Sequence, residues 1–224
     1  MKYLIQSLLI FSIFLSKSIQ AAEETNYSSH SNRTSPTVIL ESEMSNIRAS
    51  NAQLGGRIKT AREKLEEVAK LTSEDEKEVQ VDKLFLTLRD EVYGVLDQLD
   101  SNGKFSDALN QAKEGTIVLK SWYERQPPDY PNRDQSIAQL DGAVREYDVV
   151  DKRLAESRNL AMEKLSTLIR QHRVIVQQMK IGKVLEAIAA ARAVVDGLND
   201  ITKAMSVVEE KTDKSLKTSV PVSN

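Results

Sequence analysis

The sequence predicts an all-α fold, an elongated helical bundle or antiparallel coiled coil of four to five helices. Three observations carry this. A seam spaced alternately three and four apart runs through Ile137, Leu140, Val144, Tyr147, Asp151, Leu154, Arg158, Ala161, Leu165, Leu168, His172, Ile175 and Met179, and ten of these thirteen are apolar. That is the rhythm of helices packed along their length. The same rhythm governs Leu40, Met44, Ile47, Asn51, Leu54, Ile58, Ala61, Leu65, Val68 and Thr72, eight of ten apolar. Composition agrees: 8 Gly and 5 Pro in 224 residues and 5% aromatics leave a chain dominated by helix formers.

The elements follow in order. Met1-Lys2, an apolar run from Tyr3 to Leu15 and small residues before Glu23-Glu24 predict a secretory signal over residues 1–21, cleaved after Ala21 or Ala22. The run falls short of the roughly 20 apolar residues a spanning helix needs. Residues 22–37 are rich in Ser and Asn without periodicity and read as a flexible polar leader. Sequons at Asn26 and Asn32 sit in it. A helical bundle domain is expected over 38–210 and a disordered tail over 211–224.

Within the bundle, the first seam makes the first helix. Asn51 at a core position either fixes register, as lone buried Asn residues do in coiled coils, or marks a weak spot beside Gly55-Gly56. Ser73 and Glu76 are spaced as a capping box opening a second helix from about Glu74 to Leu99. Its stripe (Val81, Leu84, Phe85, Leu88, Val92, Val95, Leu96, Leu99) is wide enough to pack on two neighbours. Asp100-Ser101-Asn102-Gly103 is a turn signal. A third helix from about Ser106 to Arg125 offers Ala108, Leu109, Ala112, Ile117, Leu119 and Trp122 for packing, until Pro127, Pro128 and Pro131 end it. The fourth helix, about Asp134 to Met179, carries the longest seam. Beyond it the apolar series resumes two residues out of frame at Val184, Ile188, Ala191, Val195, Leu198, Thr202 and Met205, so Ile181-Gly182-Lys183 is expected to turn the chain.

Charge and chemistry exclude several functions. Removing Lys2 and Lys17 with the signal lowers Lys+Arg from 31 to 29 against 33 Asp+Glu, a net charge of −4 that offers no basic field for nucleic acid or anionic lipid. Cysteine is absent, so an exported fold rests on packing without disulfides. The two histidines are His30, in the leader, and His172, on a helix between Arg170 and Arg173; neither belongs to a metal-binding or catalytic pattern. ExxH pairs and glycine-rich phosphate loops are missing. No catalytic, metal or cofactor residues are assigned. Asp151 and Arg158, seven apart on one seam, either control register or face water.

The stretch Leu96, Leu99, Gly103-Lys104-Phe105, Asp107-Ala108-Leu109, Ala112 and Leu119, with the Pro127–Pro131 segment beyond it, resembles the turn and second helix of a tetratricopeptide repeat. The resemblance covers about 35 residues, has no second copy, and implies a single helix hairpin. The plan of signal peptide plus long helices is similar to that of exported helical components of bacterial secretion and conjugation machines. The expected function is therefore that of a secreted or periplasmic, non-enzymatic scaffold, adaptor or secretion-machinery component acting through protein contacts. Self-association through the helix seams is open, with no nucleic acid and no stable membrane insertion after signal removal. Trp122, Tyr123, Arg125, Tyr130 and Arg133, aromatics and arginines on and beside an irregular loop, are either a partner contact or side chains packed under the end of the bundle. The alternatives are a ligand-binding or a membrane-active helical bundle.

Overall fold

A computed structural model describes residues 36–218; the signal, residues 22–35 of the leader with its sequons and residues 219–224 lie outside the described residues, while Pro36 and Thr37, expected in the leader, open the first helix. Six helical segments follow one another: α1 (Pro36–Lys70), α2 (Glu74–Gln98), α3 (Lys104–Glu124), α4 (Arg133–Lys180), α5 (Val184–Gly197) and α6 (Asn199–Thr218). The fold is an all-α helical bundle, with no strand among the described residues.

These segments lie in four tracks. Along α2 and then α3, Glu78 meets Lys180, Asp82 meets His172, Asp100 meets Arg158, Lys113 meets Asp148 and Lys120 meets Asp141. One number rises as the other falls, so α2 and α3 together run antiparallel along the whole of α4. Lys164–Asp200 and Glu146–Lys214 set α5 and α6 antiparallel to α4 on another side. Arg62–Asp196 and Arg48–Asp213 do the same between those helices and α1, and Arg57–Glu91 joins α1 to α2. The diagonal pairs scarcely touch. The arrangement is an up-down-up-down four-track bundle around one core. These ion pairs are exposed and individually worth little; their value is as markers of register. The 48-residue α4, at 1.5 Å per residue, is about 72 Å long and sets the length of the rod.

The turn at 100–103 does not reverse the chain. Gly103 N–H donates to the Asp100 carbonyl at 3.0 Å, yet α2 and α3 scarcely touch each other, and both lie against α1 and α4. The hairpin implied by the tetratricopeptide resemblance is therefore not formed. Apolar faces on both sides of the turn (Val95 and Leu99, then Phe105, Ala108 and Leu109) point to the same core, and burying both requires a jog in one track.

The long seam is correct in its second half and shifted in its first. The buried residues of α4 are Ser136, Leu140, Ala143, Tyr147, Val150, Leu154, Ser157, Ala161, Leu165, Leu168, Ile175 and Met179. Two successive steps of four flank Ala161, so the core face changes phase there. A strict seven-residue repeat drifts about 20° per heptad against a straight helix, and an inserted step of four resets it. Asp151 consequently faces water, and Arg158, half-buried, reaches Asp100 at 3.1 Å and Ser101 Oγ at 3.0 Å. Val150 and Ser157 occupy the core positions beside them. The α1 seam holds from Leu40 to Val68. There Asn51 is half-buried and its Nδ2 donates to Glu209 Oε1 at 2.9 Å and Ser206 Oγ at 3.1 Å, a polar link to α6 that favours the register reading. On α3, Ile117 is exposed and Thr116 is buried in its place, its hydroxyl satisfied by the Ala112 carbonyl at 2.9 Å.

The C-terminal helix runs eight residues past the boundary expected at 210, to Thr218. Its polar sequence hides a continuing core stripe: Thr212 and Ser215 are fully buried. Their hydroxyls donate at 2.8 Å to the Val208 and Thr212 carbonyls, which removes the cost of burying them. Between α5 and α6 the helix is interrupted at Leu198 alone. Gly197 weakens the helix, and the Asn199 side chain donates to the Asp196 carbonyl at 2.8 Å.

The expected break at 181–183 is a sharp reversal. Gly182 has φ +81°, its N–H donates to the Met179 carbonyl at 3.0 Å, and Lys183 N–H donates to the Gln178 carbonyl at 2.9 Å. That pair of bonds is a Schellman motif. A Cβ at Gly182 would meet nothing within 4 Å, so substitution is resisted by backbone conformation alone. Gly182→Ala is expected to destabilise by about 1–2 kcal/mol, the usual cost of a left-handed L-residue. Equilibrium denaturation of the two proteins measures it, and a more stable alanine variant would contradict the turn.

Candidate docking corner between α3 and α4

Trp122 and Tyr123 lie in the last turn of α3, Arg125 caps it, Tyr130 sits in the loop, and Arg133 opens α4. The loop is two consecutive turns: Tyr130 N–H donates to the Pro127 carbonyl at 3.0 Å and Arg133 N–H to the Tyr130 carbonyl at 3.1 Å. Asn132, at φ 59°, supplies the left-handed residue that starts α4 in the opposite direction.

The five expected residues are brought to one corner, where they divide into two groups. The three rings pack on one another: Trp122 lies 4.9 Å from Tyr123 and 5.6 Å from Tyr130, and the two tyrosines are 6.3 Å apart. All three contacts are edge-to-face, the geometry ring quadrupoles prefer. The contiguous core reaches only Ala112 on α3 and Tyr147 on α4, so this trio forms a separate cluster beyond it. Arg57 pairs with Glu91, and counting back along antiparallel helices sets Pro36 opposite the middle of α3. The last turns of α3 and the first of α4 thus run past the described start of α1. Ile117 (42% exposed) and Val118 (59%) accompany the rings there, with Tyr130 at 37%.

Arg133 serves the corner itself. Its Nε donates to the Gln126 carbonyl at 3.0 Å and its guanidinium to the Glu124 carbonyl at 3.1 Å and Asp134 Oδ1 at 2.6 Å. It thereby satisfies carbonyls orphaned at the end of α3, where a cation also meets the negative end of the helix dipole. Arg125 donates Nε to the Ser121 carbonyl at 3.1 Å and is otherwise exposed. Of the two arginines, Arg125 remains open to a partner.

Two residues before Trp122, Lys120 joins the helices. Its ammonium lies 2.7 Å from Asp141 and 3.7 Å from Glu124. The hydrogen bond to Asp141 holds the Lys120 pKa above its ordinary value, and the same bond, with the charge of Lys120 and then Arg145, holds the Asp141 carboxyl below its own. A depressed carboxylate contributes stability present above the ordinary aspartate pKa and lost as pH falls through the depressed one. A raised lysine contributes stability present below its ordinary pKa and lost as pH rises through the raised one. The stability difference between the wild type and Lys120→Gln is therefore expected to be flat from about pH 5 to 9. It should shrink below about pH 4 and above about pH 10.5. Denaturation at a series of pH values checks this, and its amplitude is small because both groups face solvent.

A second concavity was not singled out in the sequence. Between α2 and α4, a groove of about 340 Å³ is walled by Phe85, Leu86, Arg89, Tyr93, His172 and Arg173. The His172 ring stacks on Phe85 (5.1 Å, 22°), and its Nε2 is 2.9 Å from Asp82 Oδ1. The legible signal was Leu86, Arg89 and Tyr93 at spacings of three and four, a second stripe on α2 beside the core stripe. Among the described residues no group of His, Asp or Glu side chains converges to hold a metal ion, and no helix is long and apolar enough to cross a membrane. Comparison with protein-family models, curated proteins and solved structures finds no match to this chain.

Proposed function

We propose that this chain is an exported, non-enzymatic helical protein that works by protein–protein contact, docking through the α3–α4 corner. The observation that supports it is the aromatic trio. Trp122, Tyr123 and Tyr130 pack on each other beyond the core, with exposed Ile117 and Val118 alongside and Arg125 free to pair. Aromatics and arginine anchored on a rigid corner are the residues that carry binding energy in protein interfaces. The partner surface they fit is apolar, with a carboxylate or carbonyl acceptor for Arg125.

Trp122 is the single tryptophan, so its emission reports the corner directly. Wild type and a Trp122→Ala/Tyr130→Ala variant, each incubated with the native envelope or culture medium, should retain different protein sets. The proteins held by wild type should be lost from the variant, and adding them back should shift the wild-type emission. A variant that captures the same proteins as wild type overturns the reading. Export carries its own prediction: protein recovered outside the cytoplasm should begin at Ala22 or Glu23 by N-terminal sequencing, and a mature chain retaining Met1 contradicts it.

A further inference from the structure

We infer that the groove between α2 and α4 binds a small organic monoanion with a planar aromatic body. Its volume of about 340 Å³ lies at the small end of the range for small-molecule sites. One wall is already arranged as a stacking surface, because Phe85 is buried and the His172 ring lies nearly parallel to it, held by Asp82. Tyr93, eight residues along α2 from Phe85, is half exposed and Leu86 is 36% exposed, so an apolar face and a phenol ring stand open to a ligand.

Charge decides the class of ligand. Four charged residues bear on the groove beside His172, two arginines and two aspartates. Asp82 is engaged by His172, and Asp90 accepts both Arg89 Nε (3.0 Å) and a terminal Arg89 nitrogen (2.9 Å). Arg173 is exposed and has no ion pair or hydrogen bond among the described residues, so its guanidinium is available to a ligand beside an apolar slot. A planar guanidinium matches a carboxylate or sulfonate bidentately. An aromatic monoanion therefore satisfies both halves of the groove, whereas a cation or a neutral sugar leaves the Arg173 guanidinium without an anionic partner.

The test uses two fluorescent probes that share one aromatic body. Anilinonaphthalene sulfonate carries an anion and N-phenyl-1-naphthylamine does not. The full chain should bind the sulfonate saturably at one site. Arg173→Gln should weaken that binding about tenfold, as the loss of a charge-assisted bond predicts, while leaving the neutral probe unchanged. Leu86→Ala/Tyr93→Ala should weaken both probes, and Trp122→Ala at the distant corner should weaken neither. All of these side chains are at least partly exposed, and a cooperative melting curve well above the assay temperature shows that each variant is folded. The inference is overturned by an absence of saturable sulfonate binding to the folded wild type. It is equally overturned by an Arg173→Gln variant that binds the sulfonate as tightly as wild type, or by loss of binding on Trp122→Ala.

Discussion

Replacing Phe85 by alanine should destabilise the bundle by about 3–5 kcal/mol, the usual cost of emptying a buried aromatic site. Phe85 is 1% exposed on the inner face of α2, against α4, where its ring also supports His172. Long straight helices cannot collapse around so large a void without moving the neighbours they contact elsewhere, so the cavity stays open. For a chain of this size that loss lowers Tm by roughly 6–20 °C. Leu86, the next residue, is 36% exposed, and Leu86→Ala should cost under about 1 kcal/mol. Equal losses in the two variants would mean that α2 faces the core differently.

The second large effect separates two adjacent residues of α4. Val150 is fully buried and Asp151 is exposed. Val150→Asp places a carboxylate in the core without a partner and should cost about 3–5 kcal/mol or unfold the chain. Asp151→Val should change stability by no more than about 0.5 kcal/mol. An uninterrupted heptad seam through Asp151 makes the opposite forecast, with the valine variant stabilised and the Val150 change tolerated. Urea denaturation of both variants decides it.

That pair of residues also shows what was legible in the sequence. The class of fold, the α1 seam, the limits of α2 and the reversal at Gly182 follow from local signals: spacing, an N-cap at Ser73, a glycine free to take positive φ. The phase of α4 did not follow, because both 3.5- and 3.6-residue periods pass through Leu140, Tyr147, Leu154 and Ala161, and only the neighbouring helices choose between Val150 and Asp151. The jog at 100–103 was hidden for a similar reason: turn residues announce a break but not its direction, which the two apolar faces set. The end of α6 was missed because Thr212 and Ser215 look like surface residues, and their satisfied hydroxyls become visible only in the helix. At the candidate corner, residue types named five side chains that the fold brings together, but could not assign Arg133 to the backbone carbonyls there and Arg125 to the surface. The groove at Phe85 and His172 is made by two helices about 90 residues apart in sequence, and no local pattern announces that meeting.

The central claim is that four antiparallel tracks of one chain surround a single core. The chain has no cysteine, so pairs can be introduced at will. Double-cysteine variants at Arg57/Glu91, Lys113/Asp148, Glu146/Lys214 and Arg62/Asp196 place one pair on each of the four seams. Treated with a short bismaleimide at low protein concentration, all four should cross-link within one chain and leave a folded, helical monomer. A pair that fails to cross-link, or that does so only between chains, would contradict the four-track arrangement.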